Sequence, residues 1–178
     1  GLSTRVLDPR FPEVREYLAS VYVNALKAWN LDGFKLDFID NFSLRGNPDP
    51  ALEDNYAGRD YKSIPEATDA LLSEVSKALR AIKPDIMIEF RQGYIGPAIR
   101  KYGNMLRAAD CPADILRNRL RTVSLRLTSS NSAVHSDMIE WPRDATAQFA
   151  ALEILAILFS VPQLSLKLED LTDDQARM

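Results

Sequence analysis

Leu31-Asp32-Gly33-Phe34-Lys35-Leu36-Asp37-Phe38-Ile39-Asp40-Asn41-Phe42 is the stretch on which the fold of this chain turns. Asp32-Gly33 is a turn signal, and behind it a short apolar run with aromatic and β-branched residues gives way to a polar cluster. The pattern predicts a buried strand that delivers charged side chains at its C-terminal end. Lys35 and Asp37 stand two residues apart, so they share one face of that strand. An ammonium beside a carboxylate lowers the carboxylate pKa and keeps it ionised. That suits a nucleophile, a metal ligand or a buried ion pair, and the pair alone leaves all three open.

Upstream, Asp8-Pro9 and Pro12-Glu13 are helix-start signals, and Val14, Leu18, Val21, Ala25 and Trp29 recur at helical spacing. They predict a helix ending near Asn30. Downstream, residues 41–62 are polar, with two glycines and two prolines, and read as a long loop of functional or merely surface character. Ser63 and Glu66 form a capping box for a helix with an apolar face of Ala67, Leu71, Val75, Ala78 and Ile82. Ile86 to Phe90 predicts a second strand, flanked by Glu89 and Arg91, and Pro97 to Lys101 a short helix. Asn104 to Asp110 reads as a third strand. Pro112 opens an arginine-rich helix with a stripe of Leu116, Leu120, Val123 and Leu127. Ser132 to Asp137 reads as a fourth strand. A helix capped by Asp144 follows, with Phe149, Leu152 and Leu155 on its core face. A fifth strand lies within Phe159 to Leu166, and Leu171 to Met178 begins another helix.

Strands alternating with helices are the mark of βαβ units and a parallel sheet, so the fold class is α/β. Polar residues of catalytic type follow several strands, on the rim where α/β barrels and doubly wound sheets keep their sites. A (β/α)₈ TIM barrel needs eight strands and typically about 250 residues. The 178 residues here hold about five βα units. The expectation is therefore a partial barrel, roughly strands four to eight, forming one fragment of a single catalytic domain over residues 1–178. The missing N-terminal barrel half, or self-association, would then complete the sheet.

A formal net charge of -3 gives no electrostatic case for nucleic acid or an anionic membrane. The single cysteine, Cys111, rules out an internal disulfide framework and fits a reducing, cytoplasmic setting. No apolar run reaches the roughly 18 residues that span a bilayer.

Asp32-Gly33-Phe34-Lys35-Leu36-Asp37 resembles the Lys-x-Asp strand of clan D glycoside hydrolases, above all the family 36 melibiase-type α-galactosidases, and also the matching strand of family 31 α-glucosidases. Arg107-Ala108-Ala109-Asp110-Cys111-Pro112-Ala113-Asp114-Ile115-Leu116-Arg117 is similar to the family 36 Ser-Asp-x-x-Asp…Arg segment, where family 31 offers no good match. Ala133-Val134-His135-Ser136-Asp137 and the run from Phe159 through Gln163 resemble the last strands of family 36 barrels. The resemblance implies a retaining hydrolase of terminal α-galactosides or related α-glycosides, with a small oligosaccharide substrate and no cofactor or metal. It implies that Asp37 is the nucleophile, Asp110 the acid/base, and Lys35 a contact to sugar hydroxyls and nucleophile. Arg91, Asp114, His135 and Asp137 are the further substrate-binding candidates. The chain departs from the family where Ala109 replaces a serine, where Asp114 falls one residue late, and where Arg91-Gln92-Gly93 replaces a Cys- and Ser-rich segment.

A retaining glycosidase needs one ionised, nucleophilic carboxyl and one that holds a proton for the leaving oxygen and then acts as base on water. Lys35 suits Asp37 to the first task. Asp110, between an Ala-Ala pair and Cys-Pro, is expected in a less polar setting that raises its pKa, unless it serves as the N-cap of the helix opening at Pro112. Asp137 could instead pair with Arg143, and Trp141 could stack on a sugar ring or pack in the core. Two rival readings stay open. One is a divalent-metal enolase-type lyase or isomerase with Asp37, Glu89 and Asp110 as oxygen ligands and Lys35 as base. The other is a barrel fragment that is inactive on its own.

Overall fold

The computed structural model describes residues 6–42, 58–91, 93 and 95–178. Among them, strands β1 (Gly33–Lys35), β2 (Met87–Arg91), β3 (Met105–Arg107) and β4 (Ala133–His135) form a parallel sheet in the order β1-β2-β3-β4. The helices are α1 (Pro12–Trp29), α2 (Ile64–Ile82), α3 (Ile115–Thr128), α4 (Ala147–Ala156) and the single turn α5 (Asp173–Ala176). The architecture is α/β. The expected fifth strand is not a strand among the described residues: the segment after α4 touches the sheet edge only through the parallel bridges His135–Val161 and Ile139–Leu164. Most of the long polar loop, from residue 43 to residue 57, lies outside the described residues. The chain divides into two compact units, Gly1–Ile88 and Glu89–Met178.

In the first unit α1 and α2 pack against each other. Helix α1 ends where expected, with Asn30 in a left-handed cap (φ 48°) whose N–H donates to Leu26 O. Its inner face differs from the expected stripe: Val21 and Trp29 are exposed, while Leu26 and Arg15 are buried. Arg15 can go inside because its N–H groups find acceptors: Asp60 at 2.6 Å, Glu74 at 2.9 Å and Pro9 O at 2.9 Å. Hydrogen bonding to Asp60 outweighs burial and raises its pKa further. Burial also works against the Asp8 carboxylate, yet Arg10 and Arg59 overcome it and bring the carboxyl to about 2. Helix α2 follows its sequence pattern. Ser63 Oγ accepts from Glu66 N at 3.3 Å, and Ala67, Leu71, Leu72, Val75 and Leu79 are buried. Of the expected apolar face, Ile82, beyond the last packed turn, is exposed. Strand β1 is short. A Cβ on Gly33 would stand 2.6 Å from Met87 O, so only glycine lets this strand lie so close to Met87.

In the second unit, Glu89, Phe90 and Arg91 pair with Met105, Leu106 and Arg107, which pair in turn with Ala133, Val134 and His135. Phe90, Leu106 and Val134 are buried on one face. The opposite face carries Glu89 and Arg91, Met105 and Arg107, and Ala133 and His135, by strand alternation. Two helices reverse their expected faces. Leu116, Leu120 and Leu127 of α3, and Phe149, Leu152 and Leu155 of α4, are exposed. What α3 buries is Asn118, Thr122 and Leu125, because the backbone it covers needs polar partners. Asn118 Nδ2 donates to Asp137 O at 3.0 Å and its Oδ1 accepts from Asp137 N at 3.1 Å, standing in for a sheet neighbour. Helix α4 is capped by Thr146, not Asp144, and buries Ala150, Glu153 and Ala156. Ala150 and Ile157 join Ile139 and Trp141 in a core cluster, which settles Trp141 as a packing residue. No helix among the described residues is long and apolar enough to cross a membrane.

Candidate functional site

The Lys35–Asp37 pair forms as expected, but only Lys35 is in the strand; Asp37 lies just beyond it. Lys35 Nζ stands 3.3 Å from Asp37 Oδ2, and Asp37 Oδ1 accepts the Phe38 N–H at 2.9 Å. Phe38 takes a left-handed backbone (φ 57°), an unfavourable conformation for a bulky residue. Such strain concentrates at functional sites. The Asp37 side chain is 23% exposed, so its carboxylate is fixed by neighbours yet open to a ligand.

In the second unit, Asp110 follows β3 and is held by two arginines. Arg91 Nη1 lies 2.6 Å from Oδ2 and Arg107 Nη2 lies 3.0 Å from Oδ1. Burial pushes the carboxyl up, but the Arg107 hydrogen bond and the charges of Arg91 and Arg107 outweigh it, and the pKa falls below the ordinary value. The apolar flanks in the sequence predict the opposite direction. The two alanines lie beside the acid along the chain, whereas the arginines reach it from neighbouring and same-strand positions. Asp110 is also not a helix cap. That place belongs to Asp114, whose Oδ1 accepts Arg117 N at 2.9 Å and whose Oδ2 faces Arg117 Nε at 3.4 Å. The substrate-binding candidate Asp114 thus caps the N-terminus of α3, with its carboxylate engaged by that helix.

Asp137 is fully buried. Its carboxylate accepts from Arg107, from Cys111 N and, at 3.0 Å, from Met138 N. Arg107 therefore bridges Asp110 and Asp137, and Asp137 acts as an anchor inside the unit. Its proposed partner Arg143 lies instead 3.8 Å from Asp170. His135 is nearly buried, with Nε2 2.9 Å from Glu89 Oε2 and Nδ1 3.1 Å from Ser136 O. Of the carboxylates required for a divalent metal, Glu89 is engaged with His135 and Asp110 with two guanidiniums. Among the described residues no three acidic, histidine or cysteine side chains gather as a metal site.

Two features escaped the sequence reading. Arg107 stands in the quoted Arg107–Arg117 segment, but only its register, level with Arg91 and His135, shows that it serves two acids. The Glu89–His135 pair joins residues 46 apart and has no local signal beyond their alternate positions on short strands. No family model matches the chain, and no curated protein matches it.

Proposed function

We propose that the chain is the later part of a (β/α)₈ barrel of α-galactosidase type, a retaining hydrolase of terminal α-galactosides or related α-glycosides. The observation that carries the reading is the Lys35–Asp37 pair at the end of β1, a partly exposed carboxylate beside a left-handed Phe38. In this reading Asp37 attacks the anomeric carbon, and Lys35 keeps it charged and contacts sugar hydroxyls. Asp110 protonates the departing oxygen and then takes a proton from water. Its arginine partners hold it as the carboxylate, the form needed for the second step. The first step requires the proton, so a leaving-group oxygen must displace Arg91 from Asp110 and let the pKa rise. The exchange makes Arg91 part of the working site.

Proton NMR of the sugar first released from p-nitrophenyl α-galactoside by the full-length protein tests the reading. Release of α-galactose ahead of mutarotation is expected. Release of the β-anomer would contradict the two-step mechanism, and no release would contradict the substrate class.

A further inference from the structure

The polar face of the second unit holds a cavity of about 210 Å³, lined by Glu89, Met105, His135, Val161, Pro162 and Gln163 among others. Three observations converge there. Ser136 O can only accept, so His135 Nδ1 carries a hydrogen, and Nε2 then faces a carboxylate oxygen at 2.9 Å. The Glu89–His135 pair therefore forms a polar corner of the cavity wall. Gln163 Oε1 is buried and meets no donor among the described residues. The rest of the lining is apolar. Arg91 on β2 and Arg107 on β3 stand level with His135 in the strand register, and both pair with Asp110. Asp137, beyond β4, is held by Arg107. Glu89, the acid in the lining, is thus engaged by His135, and the two arginines by Asp110 and Asp137, which favours a neutral occupant.

The geometry points to this cavity as a binding site for a neutral, hydroxyl-bearing ring. A hydroxyl hydrogen satisfies Gln163 Oε1 once its amide turns toward the ligand, the Glu89–His135 pair holds a second polar group, and Met105, Val161 and Pro162 take the apolar side. The volume lies below the ~300–1,000 Å³ of sites for drug-sized ligands, which limits the occupant to about one ring. The site makes no use of Asp37 and stands whether or not the protein hydrolyses glycosides.

The His135 ring resonances are assigned by their loss in His135→Gln. Long-range ¹H–¹⁵N spectra of the full-length protein, with and without Glu89→Gln and Gln163→Leu, are recorded during titration with D-galactose, cyclohexanol and tetrahydropyran. Saturable shifts of the His135 ring with a hydroxylated probe are expected, with affinity at least tenfold weaker in Gln163→Leu and little response to tetrahydropyran. Galactose as the better probe marks a sugar site, and cyclohexanol a site for a less polar alcohol. Equal responses to tetrahydropyran and the alcohols, equal affinity in Gln163→Leu, or no response to any probe would overturn the inference. Gln163→Leu carries the test if Glu89→Gln fails to fold.

Discussion

Asp37 and Asp137 each follow a short parallel strand, and the sequence around each reads the same way: an apolar run that ends in an acid. Their surroundings differ in kind. Asp137 is wholly inside and accepts from a guanidinium and two backbone N–H groups. Asp37 faces the Lys35 ammonium and accepts the Phe38 N–H, and its side chain is 23% exposed. A carboxylate with no exposed surface is closed to a substrate, while a partly exposed one can be reached. The comparison teaches that burial of the carboxylate separates an anchor from a group that a ligand can meet. Asp110, held by two arginines, is the most open of the three, with its side chain 62% exposed.

The largest effect that sharpens this contrast is expected from Asp137→Ala. It leaves the buried Arg107 with Asp110 and strips one buried and one part-buried N–H group of their acceptor, at a cost of about 3 kcal/mol in urea unfolding. A loss below about 1 kcal/mol would break the comparison. Asp8→Asn follows, because Asp8 is the strongly perturbed acid of the other unit. Its carboxyl is depressed from 3.8 to about 2, equivalent to roughly 2 kcal/mol. That stability is present above pH 3.8 and lost as the pH falls through about 2, so unfolding followed from pH 6 to pH 1.5 should show the wild-type decline and a flatter variant.

Glu153 supplies the reverse sign. Burial, and to a lesser extent Asp114, raises its pKa, and Oε2 has no hydrogen-bond partner among the described residues. Its contribution is complete below the unfolded value of 4.5 and is lost as the pH rises through the higher folded value. Glu153→Gln should therefore remove a decline in stability on the alkaline side of pH 4.5, seen as a flatter dependence of the denaturant midpoint on pH. Arg91→Ala should change stability by no more than about 1 kcal/mol, because the Asp110 carboxylate is largely exposed. It should nonetheless move the Asp110 carboxyl ¹³C titration to higher pH; an unchanged titration would mean that Arg107 alone sets it. Smallest of all in stability is Asp37→Ala, within about 1 kcal/mol.

The alternation of strands and helices, the Lys35–Asp37 pair and the inner face of α2 were legible in the sequence because each depends on neighbours along the chain. Ser63, Glu66, Leu71 and Val75 interact within or across one periodic segment, and their spacing carries the whole message. The faces of α3 and α4 were not legible. Hydrophobic periodicity assumes that a helix covers apolar surface, whereas α3 covers the backbone of Asp137, which calls for Asn118. Apolar Leu116 and Leu120 thus turn outward. The state of Asp110 was hidden for a related reason: its pKa is set by Arg91, 19 positions earlier, and by Arg107, and not by the alanines that precede it.

The most direct test of the role given to Asp37 is hydrolysis of p-nitrophenyl α-galactoside by the full-length protein and its Asp37→Ala variant, with azide as an external nucleophile. The account predicts a fall of several orders of magnitude in the variant, and partial rescue by azide with β-galactosyl azide as the product. Wild-type activity in the variant, with no azide product, would contradict it and reduce the Lys35–Asp37 pair to a structural contact.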